Sequence, residues 1–537
     1  MAIADPISRG IASGWKVHNG ARYEQDQQFE ADVVIIGSGA GGGTSAEILA
    51  RAGLRVLIVE EGLLRSSNDF NMDEETAYAE LYQEGSGRTT KDGAITILQG
   101  RAVGGTTVVN WTSSFRTPPQ TLEHWGHAHG IEGFDPVNMA PWFEQMEQRL
   151  GVEKWAIAPN ENNDLLRRGC EALNYSNAII PRNVRGCWNL GYCGTGCPTN
   201  AKQSMLVTTI PGALERGAEL LYLARAEYLR WEGDRVTELV CSAMNDRCSK
   251  PSGVTLRIRA RHFVVAAGSI GGPALLLRSN APNPSGMLGK RTFLHPVSFS
   301  YAQMSDPVEG YYGAPQSVYS DHFQWNQGVD GPLSYKLEVP PLQPALTAAL
   351  FKATGDNLQQ AMAALPNTHV MLALMRDGFH PLSQGGSVQL RNDGTPVLDY
   401  PLNDYLWDGL RRALHSMAEI QFAAGARRVR PSHQNGHYAN SLARVRTQID
   451  QLPMQAYRMM VGSAHVMGGC MMGQDPRESV IDSQGRHHQL ENLSVIDGSA
   501  FPTSIGANPQ LSIYALACKQ ATALAEQLSG IRITRST

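Results

Sequence analysis

The residues best suited to chemistry begin at Gly37, Gly39 and Gly42, spaced G-x-G-x-x-G behind the apolar run Ala31 to Ile36. Gly37 permits a tight turn, Gly39 lets backbone approach a pyrophosphate, and Gly42 allows a helix to pack closely on the strand. Thr44 to Ala52 reads as that helix, and Leu54 to Val59 as a second strand ending on Glu60. An acid at that exit, roughly twenty residues past the glycines, is placed to meet a ribose hydroxyl. The helix start offers free N–H groups and the positive end of a dipole to phosphates. The unit is expected to hold the ADP half of a dinucleotide. A glycine-rich turn without a ligand would not need Glu60.

Four other stretches carry reactive or binding residue types. Gly100-Arg101-Ala-Val-Gly104-Gly105-Thr106-Thr107-Val-Val-Asn110 sets adjacent glycines before two hydroxyls, a concavity suited to a phosphate or a planar ring. An ordinary turn is the alternative. Asn508-Pro509 opens a helix that follows Asp497-Gly498-Ser499, and reads as an N-cap with proline at the first helical position. The functional alternative has Asn508 presenting its amide to a ligand while the helix's positive end faces a developing anion. His465, among Gly and Met residues, reads in isolation as a core histidine. Cys187, Cys193 and Cys197, followed by Pro198, are compatible with an iron–sulfur cluster, a zinc site or a plain buried loop, and the plain loop is the expectation.

These residues need a large scaffold. The 537-residue chain is 42% hydrophobic and 18% charged, enough for a sizeable globular core. A formal charge of −4 and the lack of any Lys/Arg block argue against nucleic acid as a partner. No apolar run is long enough to span a membrane. Met1 to Arg22 has no apolar signal core, so a cytoplasmic protein is expected, or one exported with a signal-bearing partner. Residues 1–30 read as a polar arm. Residues 31–115, 200–292 and 456–537 read as a discontinuous nucleotide domain, and 116–199 with 293–455 as a substrate lobe holding the Cys-rich loop 187–197. Trp, Pro, Asn and Gly in 116–200 suggest irregular structure. Glu232-Gly-Asp-Arg reads as a hairpin turn, His262 to Gly268 as a buried strand, and 345–364, 406–424 and 511–528 as helical.

Taken together and in order, these stretches resemble the glucose–methanol–choline (GMC) flavoprotein oxidoreductases. The glycines with Glu60 resemble the family's FAD ADP-binding unit. Arg101, Gly104, Gly105, Thr106 and Asn110 resemble its first signature, and Ala267-Gly268-Ser269-Ile270 with Pro273 its second. His465 matches its active-site histidine, and Asn508 the position held by His or Asn. The resemblance implies an α/β fold: a Rossmann-like FAD-binding domain with an inserted α+β substrate domain, as in glucose oxidase-like proteins. It implies Asp497, Gly498 and Pro509 beside the cofactor and oxidation of a small-molecule alcohol. In that chemistry His465 takes the hydroxyl proton, Asn508 holds the oxygen, and the helix at Pro509 stabilises charge on the reduced flavin. Some relatives attach FAD through a histidine just before Asn110; Val109 stands there, so non-covalent FAD is expected. Relatives with an iron–sulfur cluster carry adjacent cysteines, whereas Gly186 precedes Cys187.

Met371 to Gly378 and Asp399-Tyr-Pro resemble the long-chain alcohol oxidase branch, pointing to a hydrophobic primary alcohol. The alternative is a sugar or polyol dehydrogenase passing electrons through Cys187, Cys193 and Cys197 to a cytochrome or quinone. The 345–364 helix is expected either to pack in the core or to touch a membrane surface. Electron acceptor and oligomeric state stay open.

Overall fold

The computed structural model describes residues 3–532. β-Branched residues build the first sheet, where Val33 to Ile36 and Val56 to Val59 are buried, as parallel strands covered on both faces must be. Its strands lie in the order Lys16–Asn19, Glu219–Tyr222, Val56–Glu60, Gln27–Ile36, Pro251–Val265, Arg235–Met244 and Ala224–Glu232. The first five run parallel. The last two form the hairpin expected at Glu232, with Gly233 left-handed at its turn. Leu493–Val495 joins the end of Pro251–Val265. The N-terminal segment is no free arm: Asp5 caps helix Pro6–Ala12, and Lys16–Asn19 forms the sheet edge.

Helices Ala40–Arg51 and Gln510–Ser529 pack on each other beside this sheet. The segment expected to be irregular, 116–200, holds helices Pro119–His129, Pro136–Leu150 and Glu161–Ala172. Two begin with proline in the first turn, and Asp135 and Asn160 cap the second and third. The first two bury Leu122, Trp125 and Phe143 in the nucleotide-domain core, while the third buries Leu166 and Cys170 in the other lobe. The 116–199 segment is thus shared between lobes.

The second sheet runs Tyr335–Glu338, Thr368–Met375, Val297–Gln303, Val461–Ser463, Ile95–Ile97, with Arg428–Pro431 also on Val297–Gln303. Helix Asp404–Ala423 covers it. Because Ile95–Ile97 and Val461–Ser463 come from the segments that also carry the ring-binding and histidine motifs, this sheet ties the lobes together. The 345–364 piece is two helices, Pro344–Leu350 and Gly355–Ala363, parted at Lys352 (φ +47°). Leu350, Phe351 and Leu365 are buried with Leu342 and Tyr301, while Leu346, Leu358 and Met362 pack against them partly buried. No helix among the described residues is long and apolar enough to cross a membrane.

Candidate active site

At the end of strand Gln27–Ile36 the chain turns through Gly37, at φ +102°, where a Cβ would stand 2.3 Å from the Ala266 carbonyl oxygen. A Cβ on Gly42 would lie 1.9 Å from the Gly37 carbonyl oxygen, so only glycine lets helix Ala40–Arg51 start this close to the strand. Gly41, an unassigned position in the spacing, is as restricted: its Cβ would lie 2.0 Å from the Ile496 carbonyl oxygen. Gly39 has nothing nearer than Gly105 Cα at 3.8 Å. Its lack of a side chain keeps the helix start open to a phosphate.

Glu60 is buried at its strand end. Its Oε2 accepts the Ser38 N–H at 3.0 Å and the Ser38 hydroxyl at 2.5 Å, and its Oε1 accepts the Gly62 N–H at 2.8 Å. Burial pushes this carboxyl up, against those hydrogen bonds. Ser38 Oγ in turn accepts the Gly104 N–H at 2.9 Å, which fixes the dinucleotide turn against the second glycine loop. There Gly104 and Gly105 both adopt positive φ, and Thr106 Oγ1 accepts the Gly100 N–H at 3.0 Å. Arg101 faces Glu61 at 3.7 Å. Asn110 donates to Gln510 Oε1 at 2.6 Å, joining this loop to the final helix. Buried Lys202 donates to the carbonyls of Val108, Asn110 and Cys193 at 2.6–2.7 Å. Asp497 accepts the Gly268 N–H at 2.7 Å and the Ser499 N–H at 2.8 Å, setting the start of helix Gly268–Arg278 beside Gly498.

One cavity of about 470 Å³ joins all of this. Gly37, Gly39, Glu60, Arg101, Gly105, Thr106, Asn110, Ala267, Gly268, Asp497, Gly498 and Pro509 line it, and so do His465 and Asn508. Gly42 and Gly104 stand behind the wall as packing positions. Glycines that admit no Cβ, an acid at the strand end and helix starts facing one channel suit the pyrophosphate, ribose and ring of FAD. Val109, buried on the cavity wall, has no atom for a covalent link to a flavin. The far end is formed by Ala224 to Glu227 and Arg278, which no motif announced.

The reactive end is built from both sheets. His465 is partly buried on the cavity wall; its backbone N–H donates to Ser463 Oγ, and its Nδ1 lies 3.2 Å from Nδ1 of His295. Its Nε2 has no hydrogen-bond partner among the described residues. Burial, then the charge of Lys336, pushes the His465 imidazolium down to about 3. His295 was not singled out in the sequence. It is 1% exposed and non-glycine at φ +44°, a strained backbone of the kind that clusters at functional sites. Asp377 holds it there: its carboxylate accepts the N–H groups of Leu294 at 3.0 Å and His295 at 3.1 Å, and the Tyr400 hydroxyl at 2.7 Å. His295 Nε2 accepts the Gly506 N–H at 3.1 Å.

Asn508 does not cap the helix. The helix is Gln510–Ser529 with Pro509 before it and no side-chain cap; Asn508 Nδ2 donates instead to Glu338 Oε2 at 3.1 Å. Glu338, Lys336 and Gln316 gave no sequence signal. The three clustered cysteines have separate surroundings: Cys187 Sγ meets the Asn189 N–H, Cys193 Sγ the Arg182 guanidinium, and Cys197 Sγ the Thr199 hydroxyl and Lys202 N–H. All eight cysteines are free, and among the described residues no three His, Cys, Asp or Glu side chains are grouped to hold a metal.

Residues 32–70 match an FAD binding domain, and residues 78–297 and 381–517 match the GMC oxidoreductase family. A long-chain-alcohol oxidase of Arabidopsis thaliana is 30% identical over 524 residues, covering 93% of this chain and 68% of its own length. An uncharacterized GMC-type oxidoreductase of Sinorhizobium fredii is 30% identical, covering 94% of this chain and 96% of its own length. Pyridoxine 4-oxidase from Mesorbium loti shares the fold at a TM-score of 0.65 and 19% identity, covering 91% of this chain and 98% of its own. With two thirds of its length matched and the cofactor cradle in place, the chain belongs to the GMC oxidoreductase family of FAD-dependent flavoproteins.

Proposed function

We propose that the protein oxidises an alcohol to the aldehyde or ketone, with His465 taking the hydroxyl proton and Asn508 holding the oxygen. The observation that carries this reading is that His465 and Asn508 face the same cavity as the dinucleotide cradle. When bound, the flavin supplies a two-electron acceptor for the carbon-bound hydrogen. A neutral, weakly basic imidazole suffices for the proton. As the hydrogen leaves with its electron pair, the oxygen becomes carbonyl-like and its proton strongly acidic. The start of helix Gln510–Ser529 offers its positive end to the charge that develops.

The two imidazoles constrain how the proton is taken. Because His295 Nε2 accepts from Gly506, its own proton lies on Nδ1 and is given to His465 Nδ1, which leaves the His465 proton on Nε2. Uptake at Nε2 requires the opposite tautomers, with His465 protonated on Nδ1 and His295 on Nε2. In those tautomers the Gly506 N–H no longer has His295 Nε2 as its acceptor.

The substrate is read as a hydrophobic or long-chain primary alcohol, supported by the names of three relatives at 27–30% identity, all long-chain-alcohol oxidases of Arabidopsis thaliana. Anaerobic flavin bleaching across aliphatic, aromatic and sugar alcohols tests both levels. Bleaching by aliphatic alcohols supports the full reading, bleaching by sugars alone overturns the substrate class, and bleaching by none overturns the reaction.

A further inference from the structure

We infer that Glu338 is the positioning residue for Asn508, an inference that rests on the alcohol-oxidising reading of the cavity. Glu338 is fully buried on strand Tyr335–Glu338. Its Oε2 accepts Asn508 Nδ2 at 3.1 Å and Gln316 Nε2 at 3.0 Å, and Gln316 Oε1 accepts the Ser113 hydroxyl at 2.9 Å. Among the described residues those two amides are the only hydrogen-bond partners of its side chain, and both line the cavity. Its Oε1 is buried without a partner, and so is Asn508 Oδ1.

A side-chain amide has two orientations that fill nearly the same space. Turning Asn508 over would set its Oδ1 against Glu338 Oε2, acceptor against acceptor, between two buried side chains. Glu338 therefore selects one orientation. It spends one Asn508 N–H and leaves the second N–H of the same amide for whatever hydroxyl enters. Lys336, two residues earlier on the same face of the strand, balances the charge. Its Nζ lies 3.2 Å from the Phe115 ring centroid and 4.0 Å from that of Tyr319, a cation held by aromatic faces. Burial pushes the Glu338 carboxyl up and the Lys336 ammonium down. Two opposite charges buried near each other in this way contribute little to stability that apolar residues would not. The partners of Glu338 are the amides that face the reacting centre.

The test is a double-mutant cycle on FAD-loaded protein, reading the anaerobic rate of flavin reduction by decanol. Affinity for a tertiary analogue of decanol, which binds but has no hydrogen to give, is read in parallel from the flavin absorbance. Glu338→Gln can offer its own N–H to Asn508 and so admits the other orientation. It is expected to slow reduction by about ten- to a hundredfold. Asn508→Ala should lose a similar factor, and the double variant should be no slower than Asn508→Ala alone. Analogue affinity should follow the same pattern. Because Glu338→Gln strands the Lys336 charge, Lys336→Met with Glu338→Gln is run beside it under the same rule. Losses that multiply in the double variant overturn the positioning role while leaving the alcohol reading intact. An Asn508→Ala variant with unchanged reduction overturns the reading of the cavity, and the inference with it.

Discussion

The Nδ1 atoms of His295 and His465 lie 3.2 Å apart, and the ring of His295 is anchored on its other side by the Gly506 N–H at 3.1 Å. Asp377 fixes the strained backbone of His295 from behind. His465, the residue that faces the cavity, is thus oriented by a second histidine that does not line it.

Removing that orienting ring should cost catalysis before it costs cofactor. In His295→Phe, FAD occupancy should be retained while kcat/KM for an alcohol falls about a hundredfold, as expected when a catalytic group loses its fixed geometry. A parallel loss of flavin absorbance would instead mark His295 as a structural residue.

Below the ordinary histidine range the fold should weaken. His262 and His369 are buried and held down to about 4 and about 3, and His465 to about 3, whereas in the unfolded chain each takes a proton near 6.5 (about the free value). The unfolded state therefore binds more protons as pH drops. Stability is complete above about pH 6.5 and is lost below it, by up to about 1.4 kcal/mol per pH unit for each histidine. Tm measured from pH 7 down to about pH 4.5 should fall steadily; a flat profile would show that these rings are not held neutral.

The glycines separate packing from binding. Gly42→Ala should fail to fold or lose several kcal/mol, about the cost of overpacking or more, because its Cβ meets the Gly37 carbonyl oxygen at 1.9 Å. Gly39→Ala meets nothing nearer than 3.8 Å. It should leave the apoprotein's Tm close to that of the parent and weaken FAD binding, read by flavin fluorescence titration. Equal Tm losses in both would contradict the assignment of Gly39 to the cofactor.

Acid precipitation should release all of the yellow colour into the supernatant, because Val109 occupies the wall position where some relatives carry a linking histidine. Colour retained in the pellet would place the attachment elsewhere on the wall.

Much of the nucleotide domain was legible because its motif is local. The strand, turn, helix and acid of 31–60 form one unit of consecutive residues, and each glycine has a distinct steric job. His465 and Asn508 were legible only through family resemblance, since neither has a local pattern that separates it from a core residue or a cap. The capping rule misplaced Asn508: the Asn-Pro pair is a sound helix start, but Glu338, from a strand far away in sequence, takes the amide. Lys336 and Glu338 sit on the second sheet and His295 just before its strand Val297–Gln303, and the strands of that sheet come from segments without shared periodicity. Only the assembled sheet brings them together. In 116–200, abundant Pro, Asn and Trp suggested irregularity, although Asp135-Pro136 and Asn160 are helix-start signals that the composition obscured.

The most direct test is anaerobic flavin reduction by decanol in His465→Ala, with FAD occupancy equal to that of the parent. The rate should fall at least about a hundredfold, the scale of a lost general base, while the oxidised flavin spectrum stays that of a fully loaded protein. Reduction at the parent rate would contradict the assignment of His465 as the group that takes the hydroxyl proton.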